Sequence, residues 1–191
     1  MKVAIAGAGA VGRSIARELL VNDHEVTLFE RKVEHIDSDA VPGAAWVLAD
    51  ACELSNLEQA ELHTFDVMIA ATGDDKANLV VSLLAKTEFA VNRVVARVND
   101  PRNEWLFGED WGVDVAVSTP RLLASLVEEA VTVGDLVRLM TFRQGQANLV
   151  ELTLPSNTPL AGKPVRKLAL PRDVALVAIP VSYTHLRAHE T

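Results

Sequence analysis

The segment Gly7-Ala-Gly9-Ala-Val-Gly12 constrains this chain more than any other. It follows a short apolar run, residues 2–6, and opens a stretch with apolar residues at Val11, Ile15, Leu19 and Leu20, one face of a helix. A strand, a glycine turn and a helix in that order form a phosphate cradle. Gly7 allows the tight turn, Gly9 lets backbone approach a pyrophosphate, and Gly12 lets the helix pack against the sheet. The helix N-terminus, with Ala10 and Val11 in its first turn, presents unpaired N–H groups and partial positive charge to an anion.

The pattern repeats downstream. Strand-like runs recur at 24–29, 46–49, 66–71, 93–98 and 113–117, with a helical stripe at Leu79, Val80, Leu83 and Leu84. Strand and helix alternate through about 120 residues, which predicts a parallel sheet with helices on both faces and right-handed crossovers. The expected class is α/β, a Rossmann-like doubly wound sheet over residues 1–118. From Ser118 the rhythm changes. Leu122, Leu123, Leu126, Val127, Ala130 and Val131 continue at helical spacing, and past Gly134 so do Leu136, Val137, Leu139 and Met140. Residues 119–143 are expected as helices that either close the first domain or cross to a partner or to the next domain. From residue 144 the composition becomes β-like. Residues 144–180 form the start of a small α+β domain, truncated as given, because so few residues bury little core.

Residues 181–191 break the pattern. They hold the chain's single tyrosine and two of its five histidines. They resemble a translated adapter used in preparing sequencing libraries, and the native chain is expected to depart near Pro180. His185 and His189 are therefore set aside.

Composition narrows the function. A net charge of −8 disfavours a bulk nucleic-acid binder, which needs a basic face. One cysteine excludes a disulfide framework and a multi-thiolate metal site. No apolar run approaches the ~20 residues of a membrane helix, and no secretory signal opens the chain. A cytosolic protein fits.

Ligands of doubly wound sheets lie at the carboxyl ends of the strands. At the second strand's end stands Glu30, 18 residues past Gly12. Its carboxylate accepts from the ribose hydroxyls and repels a 2′-phosphate, which argues for NAD(H) or ATP/ADP and against NADP. Arg31 follows it. Asp50, Ala51 and Cys52 end the third strand, where adenine is expected. Thr72, Gly73 and Asp74 end the fourth, facing the distal part of a nucleotide. Arg13 lies just past the third glycine, near the phosphates. No catalytic constellation accompanies them: His24, His35 and His63 are expected as solvated or capping residues, and Cys52 as a packing residue.

Residues 1–140 resemble the regulator-of-potassium-conductance N-terminal domain, the TrkA N-terminal type. The resemblance is carried by the glycine loop, Glu30, Ala49-Asp50-Ala51, Ala70-Ala-Thr-Gly-Asp-Asp75 with Asn78, and Ala96-Arg97-Val-Asn-Asp-Pro101. Pro159-Leu-Ala-Gly-Lys163 looks like the companion C-terminal domain. The resemblance implies a non-enzymatic regulatory subunit of a bacterial Trk/Ktr-type potassium uptake system. It implies a homo-oligomer, at least a dimer and in a ring, on a membrane potassium-translocating subunit at the inner face of the cell membrane. By position it implies that Gly7, Gly9, Ala10, Val11 and Gly12 hold phosphates and Glu30 the ribose. It implies that Arg97 reaches phosphate and that Arg13 reaches a nucleotide in a neighbouring subunit. The alternative from another class is a small NAD-dependent oxidoreductase or dehydrogenase fragment, which shares the glycine loop and Glu30.

Overall fold

A computed structural model describes residues 1–131, 136–142, 147–152, 154, 158, 164 and 174–177. The chain divides into two compact units, Met1–Thr153 and Leu154–Thr191. In the second unit, residues 174–177 are in neither helix nor strand, although the sequence there is strand-like. A strand is made by its ladder, and no described residue supplies one. The remaining expected strands of that unit, and residues 181–191, lie outside the described residues.

The first unit is built on six parallel strands: β1 (Lys2–Ala6), β2 (Glu25–Glu30), β3 (Ala45–Leu48), β4 (Val67–Ala70), β5 (Arg93–Val98) and β6 (Val115–Ser118). Their spatial order is β3-β2-β1-β4-β5-β6. Val3 of β1 pairs in register with Val26 on one side and Val67 on the other. Chain direction across the sheet reverses between β1 and β4, and there the loops diverge to leave a crevice. The expected doubly wound sheet is therefore present, strand for strand.

Both faces are covered, because neither face of these strands is polar. Alternate residues divide between two cores. Val3, Ile5, Val26 and Leu28 pack with Ala16 of α1 (Ala10–Val21). Ala4, Ala6, Phe29, Met68 and Ala70 pack on the opposite face with Leu57 of α2 (Leu54–Gln59) and with Leu79, Val81 and Ala85 of α3 (Asp75–Thr87).

The helical expectation beyond residue 131 is corrected. Helix α4 covers Thr119–Val131, and Leu136–Phe142 is a strand, β7, paired antiparallel with β8 (Ala147–Leu152). Leu136, Val137, Leu139 and Met140 fit a helical stripe and a strand alike, since so short an apolar run does not distinguish the two periods. The pairing partner a few residues downstream settles it.

Candidate functional site

A cleft of about 540 Å3 opens at the carboxyl ends of the strands, across the β1/β4 reversal. The loop after β1 supplies Gly7, Gly9, Ala10 and Val11. The end of β2 supplies Phe29, Glu30, Arg31, Lys32 and His35. Ala49, Asp50, Ala51 and Cys52 come from the loop after β3, and Thr72, Gly73 and Asp74 from the loop after β4. Ala77 and Val81 of α3 and Arg97 of β5 complete the wall. Thirteen of the fifteen expected site residues are thus brought together; Gly12 and Arg13 stand apart.

Each glycine of the loop has its own physical reason. Gly7 sits at φ +100°, and a Cβ there would lie 2.9 Å from the backbone of Thr72. A Cβ on Gly12 would lie 1.9 Å from the Gly7 carbonyl oxygen. These two glycines serve the fold. Gly9 differs: its φ of −72° suits any residue, and a Cβ would meet nothing within 4 Å. Nothing among the described residues requires glycine there. Gly9 is the N-cap of α1, no side chain caps that helix, and its first turn carries no acid. Helix α3 is the contrast, capped by Asp74, which accepts from the Lys76 N–H at 2.8 Å, with Asp75 in its first turn. One helix end is closed by the carboxylate of Asp74; the other leaves its N–H dipoles open to the cleft.

Glu30 is buried at the floor of the β2 side. One carboxylate oxygen accepts from the Ala8 N–H at 3.2 Å and the other from the Lys32 N–H at 3.0 Å, with His35 Nδ1 3.5 Å from the latter oxygen. Each oxygen keeps a lone pair for a further donor. Asp50 folds its loop back, accepting from the Cys52 N–H at 2.9 Å. Burial first, then the charge of Asp50, pushes the Cys52 thiol up to about 11, so it stays protonated at neutral pH. That matches its reading as a packing residue.

Arg13 is placed differently from the expectation. Its Nε donates to the Ala8 carbonyl at 2.7 Å, one terminal nitrogen donates to the His35 carbonyl at 2.7 Å, and the other lies 3.7 Å from Asp37. Its guanidinium also stands 5.8 Å over the Trp46 ring. Arg13 ties the glycine loop to the segment after β2 and does not line its own chain's cleft. Arg97 does line it, and its buried Nε–H has no hydrogen-bond partner among the described residues.

Two groups that carry the family resemblance were assigned no role at the site from sequence. Asn78, fully buried, takes the Thr72 N–H at 2.9 Å and the Thr72 hydroxyl at 2.6 Å on Oδ1; its Nδ2 donates to the carbonyls of Arg97 at 2.8 Å and Thr72 at 3.2 Å. Asp75 accepts from the Asn99 N–H at 2.6 Å, the Asp100 N–H at 3.0 Å, and the side chains of Asn99 at 3.0 Å and Asn103 at 2.8 Å. Burial pushes the Asp75 carboxyl up, but those donors together hold it below the usual carboxylate range. The signal for Asn78 was a polar residue on the apolar stripe of a helix. Such a position demands partners, although the sequence does not say which. His35, expected as a solvated or capping residue, borders the cleft beside Glu30.

Residues 3–119 match the family described as the TrkA-N domain. This chain belongs to that family. It is 74% identical over 179 residues to the Trk system potassium uptake protein TrkA of Mycobacterium tuberculosis, covering 94% of this chain and 81% of the relative. Among solved structures, the GsuK channel bound to NAD superposes with a TM-score of 0.65 at 18% identity, over 73% of this chain and 25% of that one. The same channel bound to ADP gives 0.61 at 18% identity, over 69% and 34%. The AMP-bound Kef C-terminal domain of Shewanella denitrificans gives 0.59 at 22% identity, over 69% and 80%. These likenesses establish the TrkA-N fold for the first unit.

Proposed function

We propose that this TrkA-N chain is the nucleotide-reading regulatory subunit of a Trk-type potassium uptake system. It works from the cytoplasmic face of the membrane on a potassium-translocating membrane subunit. The 74% identity to a Trk potassium uptake protein supports the system. Gly9 carries the ligand assignment, a glycine that no described residue crowds, at an uncapped helix start facing a cleft. The pyrophosphate or phosphates lie over residues 9–11, the ribose hydroxyls donate to Glu30, the adenine lies by residues 50–52, and the distal end meets residues 72–74 and Arg97. The Glu30 carboxylate would repel a 2′-phosphate, so the ligand is NAD(H) or ATP/ADP rather than NADP. Structures with NAD, ADP and AMP in the same fold are consistent with this choice.

The ligand acts by binding two conformations of the assembly unequally, and its occupancy then biases the pore. No turnover is part of this function; the 74% identity to a Trk potassium uptake protein supports a regulatory role. The subunit works as a homo-oligomer, supported by the exposed apolar side chains of Leu123, Leu126, Val127 and Val131 along α4. Sedimentation of the chain is expected to show an oligomer that Leu126→Lys weakens; a monomer at micromolar concentration would remove that element.

Calorimetric titration of the whole chain with NAD, NADH, ATP, ADP and NADPH tests the ligand. Binding is expected for one of the first four, weaker or absent for NADPH, and abolished by Gly9→Asp. Unchanged affinity in that variant would overturn the placement of the phosphates.

A further inference from the structure

We infer that Asn78, which does not itself line the cleft, is the positioning residue for its distal half and so sets how strongly the site favours long ligands over short ones. This rests on the nucleotide reading above. The cleft has two halves, one on each side of the β1/β4 reversal. The near half is built on Glu30, which accepts from the Ala8 N–H of the glycine loop and from the Lys32 N–H, bonds in which Asn78 takes no part. The distal half carries Thr72 on the loop after β4 and Arg97 on β5. The Asn78 side chain bonds to Thr72 and also to the Arg97 carbonyl, so one amide joins both bearing strands beneath the site.

Every hydrogen-bonding position of that amide is used: two donors and two acceptor sites, with the side chain fully buried. No common side chain of similar size repeats this pattern, because aspartate lacks the donors and leucine lacks both. The buried Nε–H of Arg97, without a hydrogen-bond partner among the described residues, lies on the strand so held and can take an acceptor from a ligand. A mononucleotide such as AMP fills the near half. NADH or ATP extends past the glycine loop to the Thr72 and Arg97 side. Loss of Asn78 loosens the second set of contacts and leaves the first.

The test is calorimetry on the whole chain, comparing AMP, ATP and NADH against the unsubstituted protein and Asn78→Ala. The expected result is at least about tenfold weaker binding of the long ligands, the scale of one or two misplaced hydrogen bonds, with AMP within about twofold. Asn78→Ser, which keeps a hydroxyl for Thr72 and is too short for the Arg97 carbonyl, is measured beside it in case the alanine variant fails to fold. It is expected to show the same split. Equal losses for short and long ligands would overturn the inference, since a merely structural role weakens both. So would unchanged binding, or a native chain that holds NADH and ATP no more tightly than AMP. A native chain that binds none of the three overturns the nucleotide reading itself, a result separable from the others.

Discussion

Gly9 and Gly12 stand three residues apart on one loop and answer to different constraints. A Cβ at residue 12 would press on the Gly7 carbonyl oxygen at 1.9 Å, and backbone yields little in a packed turn. Gly12→Ala is therefore expected to cost about 3 kcal/mol, the upper range of overpacking, in denaturant unfolding. Gly9→Asp is expected to unfold at or above the native midpoint, because a carboxylate at the N-cap stabilises the uncapped α1. The two substitutions should separate folding from binding, and a Gly9→Asp variant that unfolds much earlier would contradict that division. Cys52 supplies a third residue-scale expectation. Its thiol, pushed up to about 11 by burial and by Asp50, should react with iodoacetamide at a rate still rising beyond pH 9. A plateau near pH 8.5 would show an ordinary thiol. The sequence shows glycines at 7, 9 and 12 equally; only the distances show that residues 7 and 12 are held to glycine by the fold and that residue 9 is not.

At the scale of elements, the ends of β4 and β5 are organised by the first turn of α3. Asp75 gathers four donors from residues 99–103 and so fixes the loop that follows β5. Asp75→Ala strands those donors and is expected to cost about 3 kcal/mol at pH 7. The pH dependence follows from the lowered carboxyl. The folded form holds its proton more weakly than the unfolded chain, whose carboxyl titrates near 3.8. The stabilisation is thus complete above that value and fades as pH falls from there through the lower folded value. Unfolding of the native chain should lose this increment between those limits, and Asp75→Ala should show a shallower acid dependence. A parallel dependence would show that Asp75 is not the group responsible. The strands were legible because each is a short apolar run ending at turn or polar residues. The β7 strand was not, since its apolar spacing suits either period and its partner lies further along the chain.

For the whole molecule, ligand binding and folding are linked by mass action. A nucleotide at a hundredfold excess over its Kd should stabilise the first unit by about 2.7 kcal/mol, read as a raised melting temperature. NADPH should give a smaller shift, because the Glu30 carboxylate would repel a 2′-phosphate. An equal shift from NADPH would remove Glu30 as the discriminating group. By itself the sequence determined the sheet class, the glycine loop and the strand ends that face one crevice. Those follow from local periodicity and from the rule that parallel strands share an edge. It also carried the family, through motifs spread along residues 3–119. The tertiary structure alone decided where long side chains point. Arg13 and Arg97 are both basic residues near the strand ends, yet one is bound to carbonyls of its own chain and the other borders the cleft with an Nε–H that has no partner among the described residues. It also decided that Asn78 joins two strands which lie far apart in sequence. A flexible side chain chooses among partners brought together by folding, and no local pattern encodes that choice.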